Sequence, residues 1–406
     1  MKKVATIKTI ILLTSVFCFF NACKKPHPSD DDTNDTNKTD NTCLHVVWSK
    51  PFLDENTSAV MQDPIIVDGY VVFAGYQQFS VADLTNRINV FDKTNGEMHP
   101  SWTKCIEEDL GYGISEVLLG GENKDVLFYS TSRFLHAIRL DRGWRFWTAV
   151  HESSNTTVRP SVLGSDVIVP YFTNVTRYNS TTGQKTTLFS FDGVVKTIQW
   201  AINEHNDTVL FFTDGWEKVF CYNLTKDNVS WECTLSTEHE GTSFLPIIVE
   251  NKYVLFQHRY YVSCVDFSTG KLIWTAMTNG WIEDNPILYY DGKIIVRPNY
   301  GNITCYDVRN GNLLWTSSNV GMSTNSTREY GKMDVYKGNL YFTTGGTKTS
   351  YLYCLSLTTG SINWFDAGPA DRGIYGGLTI DQQTGYLYCH SIWSVMCVDL
   401  NKTPKK

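Results

Sequence analysis

Eight copies of one short pattern, starting 40 to 49 residues apart, leave this chain few ways to fold. The clearest copies read CVDFSTGKLIW (264–274), CYDVRNGNLLW (305–315), CLSLTTGSINW (354–364) and CYNLTKDNVSW (221–231). Weaker ones are AIRLDRGWRFW (137–147), RYNSTTGQKTT (177–187) and VFDKTNGEMHPSW (90–102). The last begins at Cys397 and ends with the chain. A period of this size marks the blades of a β-propeller, each a four-stranded antiparallel sheet.

The chemistry inside each copy is that of a hairpin. An apolar run ends in Asp92, Asn179, Asn223, Asp266, Asp307 or Asp399, whose side chains can bond the backbone of the turn that follows. Next comes Gly96, Gly143, Gly183, Gly270, Gly311 or Gly360, supplying the positive φ of a tight turn. Four residues on, a Trp recurs: Trp147, Trp231, Trp274, Trp315, Trp364. An indole at a fixed phase is suited to fill the gap between neighbouring sheets. A second series of turns, such as Asp68-Gly69, Asn251-Lys252, Asp291-Gly292 and Lys337-Gly338, precedes the first and also counts eight.

The eighth copy stops after its third strand. LHVVWSKPF (44–52) matches the missing fourth in pattern, with Trp48 in the Trp phase. The expected fold is therefore an eight-bladed, all-β propeller over residues 44–406 whose last blade is closed by the N-terminal strand. Closure of this kind removes two open sheet edges together.

Ahead of the propeller stands a targeting segment. Lys2 and Lys3 precede a short apolar run over 9–20, too short to span a bilayer, which takes about 20 residues. Phe20-Asn21-Ala22-Cys23 resembles a bacterial lipobox, with Phe20 where that motif usually has Leu. The resemblance implies a signal peptide over 1–22 and a lipid on Cys23. Residues 24–42 hold no apolar side chain, so 23–43 is expected to be anchor plus solvated tether. The implied location is the bacterial cell envelope, bound to a membrane, with the outer membrane expected.

The copies resemble the PQQ-binding-like repeat, carried best by Thr182-Gly183, Thr269-Gly270 and Thr359-Gly360. That family contains quinoprotein dehydrogenases. It also contains non-catalytic lipoproteins such as the scaffold subunit of the outer-membrane barrel-assembly machine. The enzymes hold PQQ over a Trp with a calcium ion and a disulfide between adjacent cysteines. This chain has no Cys-Cys pair and no CxxCH for haem. No cofactor is expected, with PQQ and calcium the alternative. Histidines show no HxH or HExxH pattern, and no GxSxG elbow is present, so no metal or catalytic residue is assigned.

Five cysteines share one repeat phase: Cys221, Cys264, Cys305, Cys354 and Cys397. Equivalent points on packed sheets lie about 10 Å apart, while a disulfide needs Cα atoms within about 7 Å. They read as small buried residues between blades. Cys221 and Cys233 flank the Asp227 turn symmetrically and are the pair placed for a disulfide, which export would allow.

Binding is expected on the face that carries the loops between blades and those joining second to third strands. Its candidates between blades are Asp63, Arg159, Glu283, Asp284, Asn285, Arg328 and Arg372. Within blades they are Arg133, Trp216, Arg259, Asn299, Tyr300 and Trp393. Arg and aromatic side chains on loops suit a binding hot spot. A net charge of −7 offers no footprint for nucleic acid. The expected function is a non-catalytic envelope binding protein or scaffold, for a protein partner or small ligand. The alternatives are a small quinoprotein or sugar-related enzyme and a surface glycan binder or adhesin.

Overall fold

The computed structural model describes residues 42–51, 58–80, 83–102, 117–131, 134–150, 159–195, 197–215, 217–235, 245–258, 260–278, 280, 287–298, 302–318, 320, 331–344, 350–369, 373–391 and 394–404. Its strands form eight four-stranded antiparallel sheets. Blade 5 shows the pattern: Ile247–Val249, Tyr253–His258, Tyr261–Asp266 and Leu272–Met277 pair in chain order. Blades 2 (118–150), 3 (161–190), 4 (198–234), 6 (287–316) and 7 (334–366) repeat it. The first strands of several neighbouring blades touch one another, so they line the axis, and the fourth strands form the rim.

Blade 8 takes Tyr375–Asp381, Tyr386–His390 and Ser394–Asp399 from the C-terminus and Val46–Pro51 from the N-terminus, as expected. Trp48 pairs with Cys397 in that sheet. The fold starts slightly earlier than the tether was expected to end. Thr42 and Cys43 are buried, and Leu44 is wholly so.

Blade 1 departs from the pattern. Ser58–Met61 and Ile65–Val67 both pair with the long strand Tyr70–Ser80, and Asp83–Asp92 lies on its other edge. The rim strand shrinks to a Phe91–Met98 bridge and a 3-10 turn, Pro100–Trp102. Its copy of the pattern is two residues longer than the others, and the 3-10 turn absorbs the excess.

The core is divided among the seams between blades. Eight apolar clusters are present among the described residues, and each spans one pair of successive blades. The phase cysteines Cys221, Cys264, Cys305, Cys354 and Cys397 lie in these clusters, as expected. Burial pushes the Cys221, Cys264, Cys305 and Cys397 thiols up to about 12, and Cys354 to about 11. Thiolate, the reactive form, is therefore scarce at neutral pH. The Cys221–Cys233 disulfide is a correction. Both are free thiols, because the turn closes at Asn223–Asn228 rather than around Asp227. That register sets Cys221 opposite Trp231 and Cys233 opposite Val219.

One device recurs at the seams. In blades 2, 4, 5, 6, 7 and 8 a β-bulge falls on the residue before the rim Trp. A bulge re-aims the side chain beside it. The indole then crosses to the next blade, and its Nε1 donates to the carbonyl just after that blade's turn-opening residue. The pairs are Trp48–Lys93 (3.2 Å), Trp147–Ser180 (2.8 Å), Trp231–Phe267 (3.0 Å), Trp274–Val308 (2.7 Å) and Trp315–Leu357 (2.9 Å). Trp102 does the same to Leu140 (2.8 Å) from its 3-10 turn.

The glycine of the receiving turn lies against the same ring. A Cβ on Gly96, Gly183, Gly270, Gly311 or Gly360 would sit 2.4–2.8 Å from the preceding blade's indole. Their φ values of +69° to +70° forbid a side chain on separate grounds.

Candidate functional site

Strand direction separates two faces. The turns between first and second strands, and between third and fourth, lie at one end of every blade. The other end carries the connections between blades and those between second and third strands. On the turn face, turn-opening side chains cap their own hairpins. Asp92 Oδ1 accepts from Thr94 N at 2.8 Å, Asp266 Oδ1 from Thr269 N at 2.8 Å, and Asn179 Oδ1 from Thr182 N at 2.9 Å. The Thr94 hydroxyl also donates to Asp92 Oδ1, at 2.6 Å, and with the backbone bonds of Thr94 and Asn95 it holds that carboxyl below the usual carboxylate range.

The loop face is built differently. In blades 2 and 4–8 the second-strand residue opposite the start of the repeat is apolar: Phe128, Phe211, Leu255, Ile295, Tyr341, Tyr388. Two residues nearer the loops, on the same side of the strand, stand Ser130, Thr213, Gln257, Arg297, Thr343 and His390. All six are at most 2% exposed. Blades 1 and 3 carry Ala74 and Pro170 there. The apolar core thus ends in a buried polar belt, weighted toward blades 5–8.

Some of the belt is bonded across seams. Arg297 donates through Nη1 to Thr343 O at 2.9 Å and through Nη2 to Gly331 O, with Phe342 5.8 Å beneath the guanidinium. Thr343 Oγ1 donates to Gly376 O. His258 Nε2 meets Ser263 Oγ at 2.9 Å, which meets Thr275 Oγ1 at 2.9 Å. His390 Nδ1 donates to Ser391 O at 3.2 Å, and burial pushes its ring down to about 4. Gln257 Oε1 is buried with no hydrogen-bond partner among the described residues.

Of the residues singled out from the sequence, the structure places Asp63 and Arg159. Asp63 is half-buried and reaches from blade 1 to blade 7, where its Oδ1 accepts from Lys332 N at 2.7 Å. It also packs on Gly377, where a Cβ would lie 2.0 Å from that oxygen. Asp63 therefore clasps the closed ring. Arg159 is half-buried just ahead of the first strand of blade 3. Cys23, Arg133, Trp216, Arg259, Glu283, Asp284, Asn285, Asn299, Tyr300, Arg328, Arg372 and Trp393 lie outside the described residues. The belt was missed from the sequence, yet its signal is there: the runs VLFQH, IIVRP, LYFTT and LYCHS each turn polar at one phase.

Residues 215–375 match the family described as outer membrane protein assembly factor BamB. They run from the middle of blade 4 to the first residue of blade 8's first strand. The fold is that of a PQQ-like β-propeller. Among solved structures, BamB from Moraxella catarrhalis superposes with a TM-score of 0.61 at 14% identity, over 88% of this chain and 98% of that one. The quinohemoprotein alcohol dehydrogenase ADHIIG from Pseudomonas putida HK5 gives 0.60 at 13%, over 90% and 77%. The computationally designed Ika8 protein gives 0.63 at 12%, over 85% and 98%. At these identities the likeness is one of fold. No curated protein matches the sequence.

Trp48, Trp102, Trp147, Trp231, Trp274 and Trp315 are committed to seams, and Trp200 donates across another to Val162 O. No group of three His, Cys, Asp or Glu among the described residues is arranged to hold a metal. Among the same residues, no helix is long and apolar enough to cross a membrane.

Proposed function

We propose that this protein is a non-catalytic, lipid-anchored component of the bacterial envelope that holds a protein partner against its loop face. The observation that carries this is the contrast between the faces. The turn-opening Asp and Asn side chains cap their own hairpins, whereas the loop end buries the larger polar side chains Arg297, His390 and Gln257 beneath the loops. The likeness to BamB, whose family name is that of an assembly factor, points the same way.

Site-specific photocrosslinking in cells tests this. Probes at Arg159 and Thr173, on the loop face, are expected to capture one protein in common. Probes at Lys124 and Lys252, on the turn face, are expected to capture none. Adducts chiefly from the turn-face probes would contradict the proposal. A fluorescence change of the tryptophans on titration with PQQ and calcium would contradict its non-catalytic half.

A further inference from the structure

Seven blades draw their strands from one unbroken stretch of chain, and blade 8 does not. In blades 2–7 a hairpin ties the fourth strand to the third. The fourth strand of blade 8, Val46–Pro51, has no such tie and pairs along one edge only, with Ser394–Asp399. It lies outermost in its sheet, with Ser49 and Pro51 exposed. Residues 42–51 therefore form a strap, held on the body of the propeller by non-covalent contacts and joined to it covalently only beyond Pro51.

The body grips this strap at three blades. On blade 7 the buried Asp366 carboxylate takes its start: Thr42 Oγ1 donates to Oδ1 at 2.7 Å, and Cys43 N to Oδ2 at 2.7 Å. Gly368 N adds a third bond to Oδ1 at 2.6 Å. The last turn of blade 8, Asp399–Thr403, has no glycine, and the strap fills seam 7–8 instead. Cys43 and Leu44 join Trp364, Leu378 and Leu400 there in one apolar cluster. On blade 8, His45 N donates to Thr403 Oγ1 and His45 O accepts from Asp399 N, each at 2.9 Å. On blade 1, Trp48 Nε1 donates to Lys93 O at 3.2 Å, and its ring lies against Gly96.

Every partner just named belongs to the body, so the strap of a second copy meets the same partners. We propose that the strap is exchangeable: residues 42–51 of a second copy dock in blade 8 in place of the chain's own, giving a strand-exchanged dimer. An exchanged pair makes each of these bonds again, so the single chain is favoured by proximity alone and concentration decides between the two. Release from a folded ring is slow, because it breaks the Asp366 bonds and opens seam 7–8 together. Exchange therefore belongs to the time of folding, since the strap is synthesised well before its receptor at 364–403. Asp366 is the latch that sets how slowly a folded strap leaves. None of this depends on a lipid at Cys23 or on what the loop face binds.

The test uses the full chain in detergent, in a Cys233→Ser background. Pro51→Cys and Ser394→Cys are added, because the two positions face each other in the strap's ladder. The chain is unfolded, refolded either dilute or concentrated, oxidised and run on a non-reducing gel. Intrachain-linked monomer is expected after dilute refolding, and interchain-linked dimer after concentrated refolding. Monomer alone in both overturns the proposal. A dimer that light scattering detects but the new cysteines do not link also overturns it, since another surface then joins the copies. The latch is tested by mixing tagged and untagged folded monomers, kept reduced, and oxidising samples at intervals. Asp366→Asn is expected to speed the appearance of mixed dimers about 10- to 100-fold, and an unchanged rate overturns the latch. Thr42→Val removes one of the three bonds and leaves the carboxylate in place. It is expected to give a smaller rise in the same direction, and it decides the question should Asp366→Asn not fold.

Discussion

Six seams of this ring close by the same device, and two do not. At seams 8–1, 1–2, 2–3, 4–5, 5–6 and 6–7 an indole from one blade lies on the turn glycine of the next and donates to its backbone. At seam 3–4 both partners are missing together. Thr187 stands where blade 3 would carry Trp, and Asp227 where blade 4 would carry Gly. The bulge has moved too, falling at Leu188. Phe189 takes over, stacking on Tyr222 at 4.1 Å and 13°. Trp200 of blade 4 donates backward to Val162. At seam 7–8 the indole and its bulge are present but the glycine is not, and Thr42–Leu44 fill the space.

The two exceptions lie four blades apart, on opposite sides of the ring. They bound blades 4–7, and the stretch that matches the BamB family runs through that half, from the middle of blade 4 to the start of blade 8. The lesson is that Trp and Gly form one unit spanning two copies of the repeat. Losing either alone leaves a hole or a clash, so a seam keeps the pair or is rebuilt.

Removing residues 42–52 should have the largest effect, since it opens blade 8 and empties seam 7–8. The loss in calorimetry should exceed the about 3–5 kcal/mol of a single buried Trp→Ala change. Trp274→Ala, at an ordinary seam, should cost that about 3–5 kcal/mol in denaturant unfolding. A much smaller cost would mean that the bonded indole is not what closes the seam.

Next is a pH effect at blade 8. Burial holds His390 at about 4 when folded, against about 6.5 unfolded. The unfolded chain then binds more protons between those values, so stability is intact above about pH 6.5 and falls as pH drops toward 4. The loss is on the order of 3 kcal/mol. His390→Gln should flatten the profile of melting temperature over that window.

Grafting the missing pair onto seam 3–4, as Thr187→Trp with Asp227→Gly, should give no gain. Without a bulge at residue 186 the new indole stays on the exposed face that Thr187 occupies. A raised melting temperature would show that the bulge is dispensable. The smallest effect is chemical. Alkylation of the native protein should modify Cys233 well before the seam cysteines, read by peptide mass mapping, because Cys233 alone of these is partly exposed.

Much of this was legible in the chain. Turn residues obey local backbone rules, so Asp266-x-x-Thr269-Gly270 and its copies announced hairpins and counted the blades without tertiary information. The closing strand was legible because an open sheet edge needs a partner and Trp48 kept the phase. What a repeat cannot show is which copy a residue touches. Trp274 and Gly270 share a copy but meet different neighbours, Gly311 and Trp231. The joint departure at Thr187 and Asp227 was the available hint. Cys221 and Cys233 misled because a hairpin's register depends on where its turn closes. Thr42 and Cys43 were hidden by the polar run before them, since a short polar segment held by one carboxylate has no hydrophobic signature. The polar belt escaped because polarity was sought in loops, although it begins within the strands.

A double-mutant cycle at one ordinary seam tests the pairing most directly. Gly311→Ala drives a methyl into Trp274 as well as straining the turn, and Trp274→Ala removes the ring it meets. If the two form one unit, Gly311→Ala will cost clearly less in the Trp274→Ala background than in the wild type, leaving only the backbone strain of about 1–2 kcal/mol. Additive losses would contradict the account.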